Sequence, residues 1–413
     1  MCKHIQDVTK ATRHLITKSV YSEFRRSSEF MLVCKLLSDA IWSGTASQDY
    51  SKDDMLNLYQ LLIEHSVAPL AYKIASSLPI DEKMRKEWEL LYIRTIAHYA
   101  RIKHTQTQLL KTLTAQGIPV VVLKGTAAAT YYINPELRTM GDIDLLVRPE
   151  FYDQCVNSLL NLGYVDTTNK IEEKIGRHKV FQGKEVVIEL HHFFSSDVNG
   201  DKGYILDDLI FADIELGRNQ LSDPINGLVL LNHLAQHMEA GIGLRQLIDW
   251  MMFANSYLDD EKWEKVFRDL AEKTGLDKLA KVATRTCQYA LGLRPSITWC
   301  CDVDQQLCCD FMNYVLESGN LGTKRAIEYS EALTAIPSLN HPIKLFKELQ
   351  RRGEISWHTI KNYRNLRPFA WLYQIVRYIK LVFYKKKNKN MIVKNLMSER
   401  QRRSDLFKRI GIK

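Results

Sequence analysis

The sequence lacks several features that define whole classes of protein. No stretch of its 413 residues reaches the roughly 18 uninterrupted apolar residues that a transmembrane helix requires. The first ten residues are polar and of mixed charge, and no apolar run leads to a small-residue cleavage site, so no secretory signal peptide is predicted. With 46% hydrophobic and 25% charged residues, we expect a cytoplasmic protein of two or three domains.

Cysteine is present but forms no pattern that builds a scaffold. The eight cysteines are Cys2, Cys34, Cys155, Cys287, Cys300, Cys301, Cys308 and Cys309. They contain no CxxC pair, so reduced thiols are expected in a chain of this length. The doublets at 300–301 and 308–309 are the one arrangement that invites a zinc site. No nearby histidine completes a ligand set, so zinc is not predicted there.

Acidic residues are scarce in one part of the chain only. Residues 341–413 contain 20 Lys and Arg against 4 Asp and Glu, a net charge of +16. Since the whole chain carries +9, the first 340 residues carry −7. The basic character therefore belongs to the C-terminal tail.

Four regions follow from the residue patterns. Residues 1–99 are predicted to form a helical N-terminal region, and residues 100–215 carry the strand-like runs. Residues 216–340 return to helical spacing, and residues 341–413 form the basic helical tail. We expect an α+β fold, with a small mixed sheet in the second region flanked by helical regions on both sides.

The second region alternates strands with helices. Helices are predicted over residues 87–116, ended by Gly117, and over residues 151–162. The predicted strands cover residues 118–123, 141–147, 178–182 and 186–190.

Two carboxylates stand at the start of the second strand. Asp142 and Asp144 lie on the same face, since side chains two apart on a strand point the same way. Two such charges repel, and a bridging divalent cation is the common remedy. Glu189 adds a third carboxylate if its strand lies beside this one, for which we expect an antiparallel arrangement. The alternative is a solvated strand edge, which the apolar neighbours of the two aspartates disfavour.

A glycine turn precedes these carboxylates. The strand that ends at Leu123 enters Lys124, Gly125 and Thr126 and then a predicted helix start. Free amides and the positive end of a helix at such a turn suit a phosphate, with Lys124 and Arg138 as sources of positive charge. The alternatives are a surface lysine at a turn and an arginine that only forms an ion pair.

These motifs resemble a known family. Leu123-Lys124-Gly125, the run Arg138 to Val147 and Glu189-Leu190-His191 look like the LKG, RxxGDIDLLV and ELH motifs of a bacterial family of uncharacterised nucleotidyltransferases. That family resembles the superfamily that shares the DNA polymerase beta palm. The resemblance extends from about residue 56 to about residue 250, and more weakly to the tail.

The resemblance implies a palm in which Asp142, Asp144 and Glu189 bind Mg²⁺, or alternatively Mn²⁺. It implies transfer of a nucleoside monophosphate from an NTP to an acceptor hydroxyl, with release of pyrophosphate. The chain departs from the wider superfamily at the nucleotide loop, where Lys124-Gly125-Thr126 replaces the usual Gly-Ser. One alternative is therefore a regulatory or scaffold module that binds nucleotide and transfers nothing.

Further residues are candidates for the substrate side of the site. Strand alternation places His191 on the face of Glu189. His237 lies four residues after His233, a spacing that suits metal ligands but is more often a structural pair. Arg245 is a candidate for a substrate phosphate, although we expect it to pair with Asp249, four residues later.

The acceptor is left open by the sequence. A small molecule, RNA such as transfer RNA, or a protein are the candidates, and a toxin-like enzyme that modifies the last two is the second alternative. The basic tail suits nucleic acid or an anionic membrane surface, whereas a helix packed on the body with solvated charges is the structural alternative.

Overall fold

The computed structural model describes residues 28–168, 178–195, 202–238, 241–319, 346, 349–350, 364–376 and 401–412. The chain divides into two compact units, Met1–Leu321 with Arg409–Lys413, and Gly322–Lys408. Among the described residues, no helix is long and apolar enough to span a membrane. The first unit contains the predicted site. Most of the predicted tail, including its lysine run at 385–389, lies outside the described residues.

In the described part of the chain, four helices precede the sheet. They are α1 (Ser28–Trp42), α2 (Lys52–Glu64), α3 (Ala68–Ala75) and α4 (Glu82–Ala115). The start of α2 is fixed by a capping box in which Ser51 and Asp54 satisfy each other's backbone amides. Gly117, two residues after α4, has a φ of +74°, which suits the glycine predicted to end this helix.

The sheet has five strands. Its elements in chain order are β1 (Val120–Leu123), α5 (Gly125–Ala129), β2 (Asp142–Val147), α6 (Tyr152–Asn161), β3 (Val165–Asp166), β4 (His178–Gln182) and β5 (Val187–His191). The spatial order is β1-β2-β5-β4-β3. The β2–β5 pair is parallel and the other pairs are antiparallel. The α+β fold with a mixed sheet is thus confirmed, but the expected antiparallel pairing of the Asp142 and Glu189 strands is wrong.

Alternation along the strands separates a core face from a polar face. The core face packs against α4 and α6. The core between the sheet and these two helices includes Ile102, Leu109, Leu110, Leu113, Val120, Val122, Ile143, Leu145, Val147, Cys155, Leu159, Phe181, Ile188 and Leu190. The intervening positions of β2 and β5 carry Asp142, Asp144, Glu189 and His191, which therefore share the polar face.

A second set of helices follows the sheet. It comprises α7 (Gly203–Asp213), α8 (Asp223–Met238), α9 (Leu244–Ser256), α10 (Asp260–Lys262), a π-helical turn (Trp263–Phe267), α11 (Arg268–Thr274), α12 (Asp277–Ala290) and α13 (Gln305–Ser318). A Cβ added to Gly227 of α8 would lie 2.2 Å from the Phe253 ring of α9. Glycine at this position therefore leaves the space that the Phe253 ring fills.

The described cysteines are consistent with the prediction of reduced thiols. All seven are free, and Cys301 alone among them is exposed. The one cluster of three or more potential metal ligands found among the described residues contains no cysteine.

Candidate active site

The three predicted carboxylates converge on the polar face of the sheet. Asp144 lies directly across from Glu189 in the parallel β2–β5 pair, and Asp142 precedes Asp144 by two residues on the same strand. Leu123, at the end of β1, pairs with Asp144 from the other side, so the glycine turn begins beside the carboxylates. The parallel register, although not the one expected, brings Glu189 to its predicted neighbour.

Lys124 joins the turn to the carboxylates. Its Nζ lies 2.7 Å from Asp144 Oδ1, and both side chains are largely buried. Burial alone would lower the pKa of Lys124, but Asp144 more than offsets this and holds the pKa above its ordinary value. Its backbone has a φ of +48° and a ψ of −130°, a strained conformation for a residue with a side chain, of the kind that clusters at functional sites.

Asp144 has two hydrogen-bonding neighbours, Lys124 and His191. Besides Lys124, His191 Nε2 lies 3.1 Å from Oδ1 of Asp144 and donates to it. Burial would raise the pKa of Asp144, but Lys124 and His191 hold it well below its usual range. The pKa of His191 is raised, because its hydrogen bonds to Asp144 and Glu189 outweigh the effect of its burial. Asp144 is therefore ionised at neutral pH.

Asp142 has the opposite electrostatic character. Its pKa is raised to about 6 by burial and by the charges of Asp144 and Glu189, which the more distant Lys124 and Arg245 only partly offset. When like charges raise the pKa of a carboxylate, a bound cation stabilises its ionised form. Oxygen donors on adjacent strands also match the ligands that Mg²⁺ prefers. The donor chemistry of Asp142, Asp144 and Glu189 thus suits a divalent metal, which would draw together oxygens that do not form a cluster of ligand atoms by themselves.

One side chain of the glycine turn already makes a structural hydrogen bond. The hydroxyl of Thr126 donates to Gln106 Oε1 of α4 at 2.5 Å, and both residues are buried. Gly125 has a φ of +29°, and its backbone begins α5 beside β2. Of the groups that Thr126 carries, its backbone amide rather than its hydroxyl is the one left to reach a phosphate.

Arg138 occupies a structural position. Its Nε and Nη2 donate to the two carboxylate oxygens of Asp249 at 2.7 and 2.6 Å. Tyr132 also donates to Asp249 Oδ1 at 2.7 Å. This buried network ties β2 to α9. The expected pairing of Arg245 with Asp249 is wrong, because Arg138 takes both oxygens and Arg245 donates to the Thr139 carbonyl instead, at 3.2 Å.

Arg245 and His237 lie within electrostatic reach of each other, and His237 also lies within reach of Lys124. The Nε of Arg245 is buried without a hydrogen-bond partner among the described residues. Burial and the charges of Lys124 and Arg245 lower the pKa of His237 to about 3. His237 and His233 share a hydrogen bond between their Nε2 atoms at 2.7 Å. Both imidazoles are therefore neutral, and Lys124 and Arg245 supply positive charge near them.

His178 is the site residue that the sequence analysis missed. It pairs across β4 and β5 with His191, and donor atoms of His178, Glu189 and His191 lie within 4.8 Å of one another. Alternation on the strands predicted at residues 178–182 and 186–190 identifies which residues share a face. It does not fix the four-residue connection, 183–186, that sets His178 opposite His191.

Buried carboxylates beside a lysine on a mixed sheet are typical of enzymes that act on phosphate-bearing substrates through a divalent metal. The chain belongs to the family of uncharacterised nucleotidyltransferases, since the model of that family matches residues 51–292, more than half of the chain. It is therefore a transferase enzyme by family. No curated protein and no solved structure matches the chain. The family resemblance is thus confirmed, whereas the link to the DNA polymerase beta palm and the bacterial origin stay predictions.

Proposed function

We propose that this chain transfers a nucleoside monophosphate from an NTP to an acceptor hydroxyl and releases pyrophosphate. The observation that carries the proposal is the row of Asp142, Asp144 and Glu189 on one face of two adjacent strands, with Lys124 in contact with Asp144. Asp142 and Asp144 would hold Mg²⁺, or Mn²⁺ in its place, with Glu189 as the third ligand. When bound, the metal would supply Lewis-acid stabilisation of the charge that develops on the α-phosphate.

The protein's own groups divide the remaining work. The Glu189 side chain is 27% exposed and that of Asp144 only 6%, which supports Glu189 as the acceptor of the proton from the substrate hydroxyl. The ammonium of Lys124 would leave Asp144 and form an ion pair with the triphosphate. The amides of Gly125 and Thr126 would donate hydrogen bonds to phosphate oxygens.

Arg245 would take the place first predicted for Arg138 at the triphosphate. Its Nε has no partner among the described residues, whereas Arg138 is fully engaged by Asp249. Arg138 then acts as a positioning residue that fixes the start of β2 through α9. His237 lies close enough to Lys124 for the ammonium to lower its pKa, and it would line the same pocket for the polyphosphate as a neutral donor or acceptor.

A second function is nucleotide binding without transfer. The Lys124–Asp144 ion pair favours it, because a lysine that stays on Asp144 would neutralise a metal ligand permanently. The chain would then serve as a regulatory or scaffold module.

The deciding experiment incubates the full-length protein with each labelled NTP, Mg²⁺ and cell extract from the cytoplasm, and identifies the species that becomes labelled. A labelled small molecule, RNA or protein would support transfer and name the acceptor. Binding without any label in the extract would favour the second function.

The matched variants are the double substitution Asp142→Asn with Asp144→Asn, and Asp153→Asn at an exposed position of α6. We expect the double variant to lose Mg²⁺-dependent NTP binding and the control to keep it. Equal binding by both would overturn every nucleotide function proposed for this site.

A further inference from the structure

We propose that His178, Glu189 and His191 form a second metal site, which takes a dication that prefers imidazole ligands, such as Zn²⁺ or Cu²⁺. This site goes beyond the carboxylate site for Mg²⁺ and shares only Glu189 with it. It stands whether or not the chain transfers nucleotides.

The β4–β5 hairpin brings the three side chains together. His178 and His191 are directly opposed in the antiparallel register, and Glu189 lies two residues before His191 on the same face. The two imidazole rings have their centroids 5.0 Å apart, and His191 Nε2 lies 3.6 Å from Glu189 Oε2. One ligand atom from each of the three residues lies within 4.8 Å of the others.

These separations suit coordination after small side-chain rotations. Metal–ligand bonds of about 2.1 Å place neighbouring ligand atoms roughly 3 to 3.5 Å apart. The His191–Glu189 distance is already close to this range, and His178 stands at a half-buried strand position. A rigid β-hairpin thus holds all three groups, as a preformed site requires.

The ligand chemistry selects the class of metal. Imidazole nitrogen suits Zn²⁺, Cu²⁺, Fe²⁺ and Ni²⁺, whereas Mg²⁺ and Mn²⁺ prefer oxygen ligands. Two nitrogens and one carboxylate leave a coordination position open for water or a phosphate oxygen.

The second site is coupled to the first through two residues. Glu189 faces both sets of ligands, and His191 Nε2 currently donates to Asp144 Oδ1 at 3.1 Å. A metal on His191 would replace that hydrogen bond and free one lone pair of Asp144. Paired metal ions of this kind are common in enzymes that displace phosphate groups.

The alternative is a polar cluster without a metal, in which His191 serves only as an ion-pair partner of Asp144 and Glu189. The test uses full-length protein stripped with EDTA and titrated with Zn²⁺ in the presence of a chelating indicator, without nucleotide. We expect His178→Gln to weaken Zn²⁺ binding by at least about 10-fold, the lower end of what is lost even when outer-shell partners of a metal site are changed. His104→Gln, at an exposed position of α4, is the matched control and should bind as the unaltered protein does.

A second measurement identifies the ligands directly in the unaltered protein. One equivalent of Cu²⁺ bound to it should show ¹⁴N couplings from imidazole in pulsed electron paramagnetic resonance, and these should vanish in the His178→Gln, His191→Gln double variant. Asp142→Asn should keep the Zn²⁺ affinity and lose Mg²⁺-dependent NTP binding, which separates the two proposals. Equal Zn²⁺ affinity of His178→Gln and His104→Gln, or the absence of ¹⁴N couplings, would overturn the second site and leave the nucleotide function standing.

Discussion

The ammonium of Lys124 lies 2.7 Å from Asp144 Oδ1, in a buried pair at the centre of the polar face. Lys124 therefore occupies a position at which a metal ion would also be attracted, and the two cations compete for one carboxylate. Lys124 has a strained backbone at this position, and under the proposed function it would leave Asp144 to bind the nucleotide phosphates. This competition gives the first prediction.

Lys124→Met should change the affinities for metal and nucleotide in opposite directions. Without the competing ammonium, we expect tighter Mg²⁺ binding in the absence of nucleotide, and weaker NTP binding because a phosphate partner is lost. In metal-free buffer the variant should lose about 3–5 kcal/mol of unfolding free energy, the usual cost of breaking a buried ion pair, and regain part of it with Mg²⁺. Calorimetric titration and urea unfolding measure these effects, with Lys111→Met at an exposed helix position as control. A parallel fall of both affinities would contradict the competition.

Asp142→Asn should stabilise the protein in metal-free buffer. The pKa of Asp142 is raised to about 6 in the folded chain, against an ordinary value of 3.8, so the folded state holds the proton more tightly than the unfolded state. Its contribution is favourable at low pH and is lost as the pH rises from about 4 to about 6. Asparagine has no charge to repel, so the gain should grow over that interval to at most about 3 kcal/mol.

Urea unfolding in EDTA at pH 4.5, 5.5 and 7 measures this gain. Asp153→Asn, on the exposed face of α6, should show no such growth. A gain that is constant across the three pH values would rule out titration of Asp142 as its cause.

The two arginines should separate stability from substrate binding. Arg138→Gln breaks the two-point ion pair with Asp249 and should cost about 3–5 kcal/mol of unfolding free energy. Arg245→Gln removes one hydrogen bond to the Thr139 carbonyl and should cost about 1 kcal/mol, while it weakens NTP binding. Thermal unfolding and nucleotide titration of the two variants form a matched pair. The assignment fails if Arg245→Gln binds NTP normally and folded Arg138→Gln does not.

His65 should make the protein sensitive to acid. The Leu244 amide at the start of α9 donates to its Nδ1 at 3.2 Å, and burial lowers the pKa of His65 to about 4 from 6.5. The unfolded chain therefore binds this proton more readily, and stability is lost as the pH falls from about 6.5 to about 4, by up to about 3 kcal/mol. His65→Asn keeps an acceptor for the amide and should flatten this part of the pH profile of unfolding. His104→Asn should leave the profile unchanged.

Local patterns predict much of this fold. The strand predicted at residues 178–182 has the same bounds in the structure, and the helix predicted at residues 151–162 lies within one residue of its observed bounds, Tyr152–Asn161. The direction of β5 relative to β2 cannot be predicted from local patterns. It depends on how the intervening α6 and β4 pack and not on the strand sequences themselves. The core face and polar face were nevertheless predictable, since alternation fixes which residues share a face in either direction.

Long-range partners account for what the sequence left out of the site. Arg138 and Asp249 are 111 positions apart, whereas Arg245 and Asp249 are one helical turn apart. Local spacing therefore predicts Arg245 as the partner of Asp249, which is wrong. Thr126 and Gln106 are likewise joined only by the packing of α5 on α4. The Asp142–Asp144 pair could be predicted from the sequence, because side chains two residues apart on a strand lie on the same face. Its assigned chemistry stays a prediction.

Asn219 closes the outer edge of the sheet. Its carbonyl accepts from the Val122 amide at 3.0 Å, and its side-chain amide donates to the Val120 carbonyl at 3.2 Å. Two of the backbone groups that this edge would offer to an incoming strand, the Val122 amide and the Val120 carbonyl, are thus already used by the chain itself. A polypeptide acceptor that added to β1 as a strand would have to displace Asn219 from both.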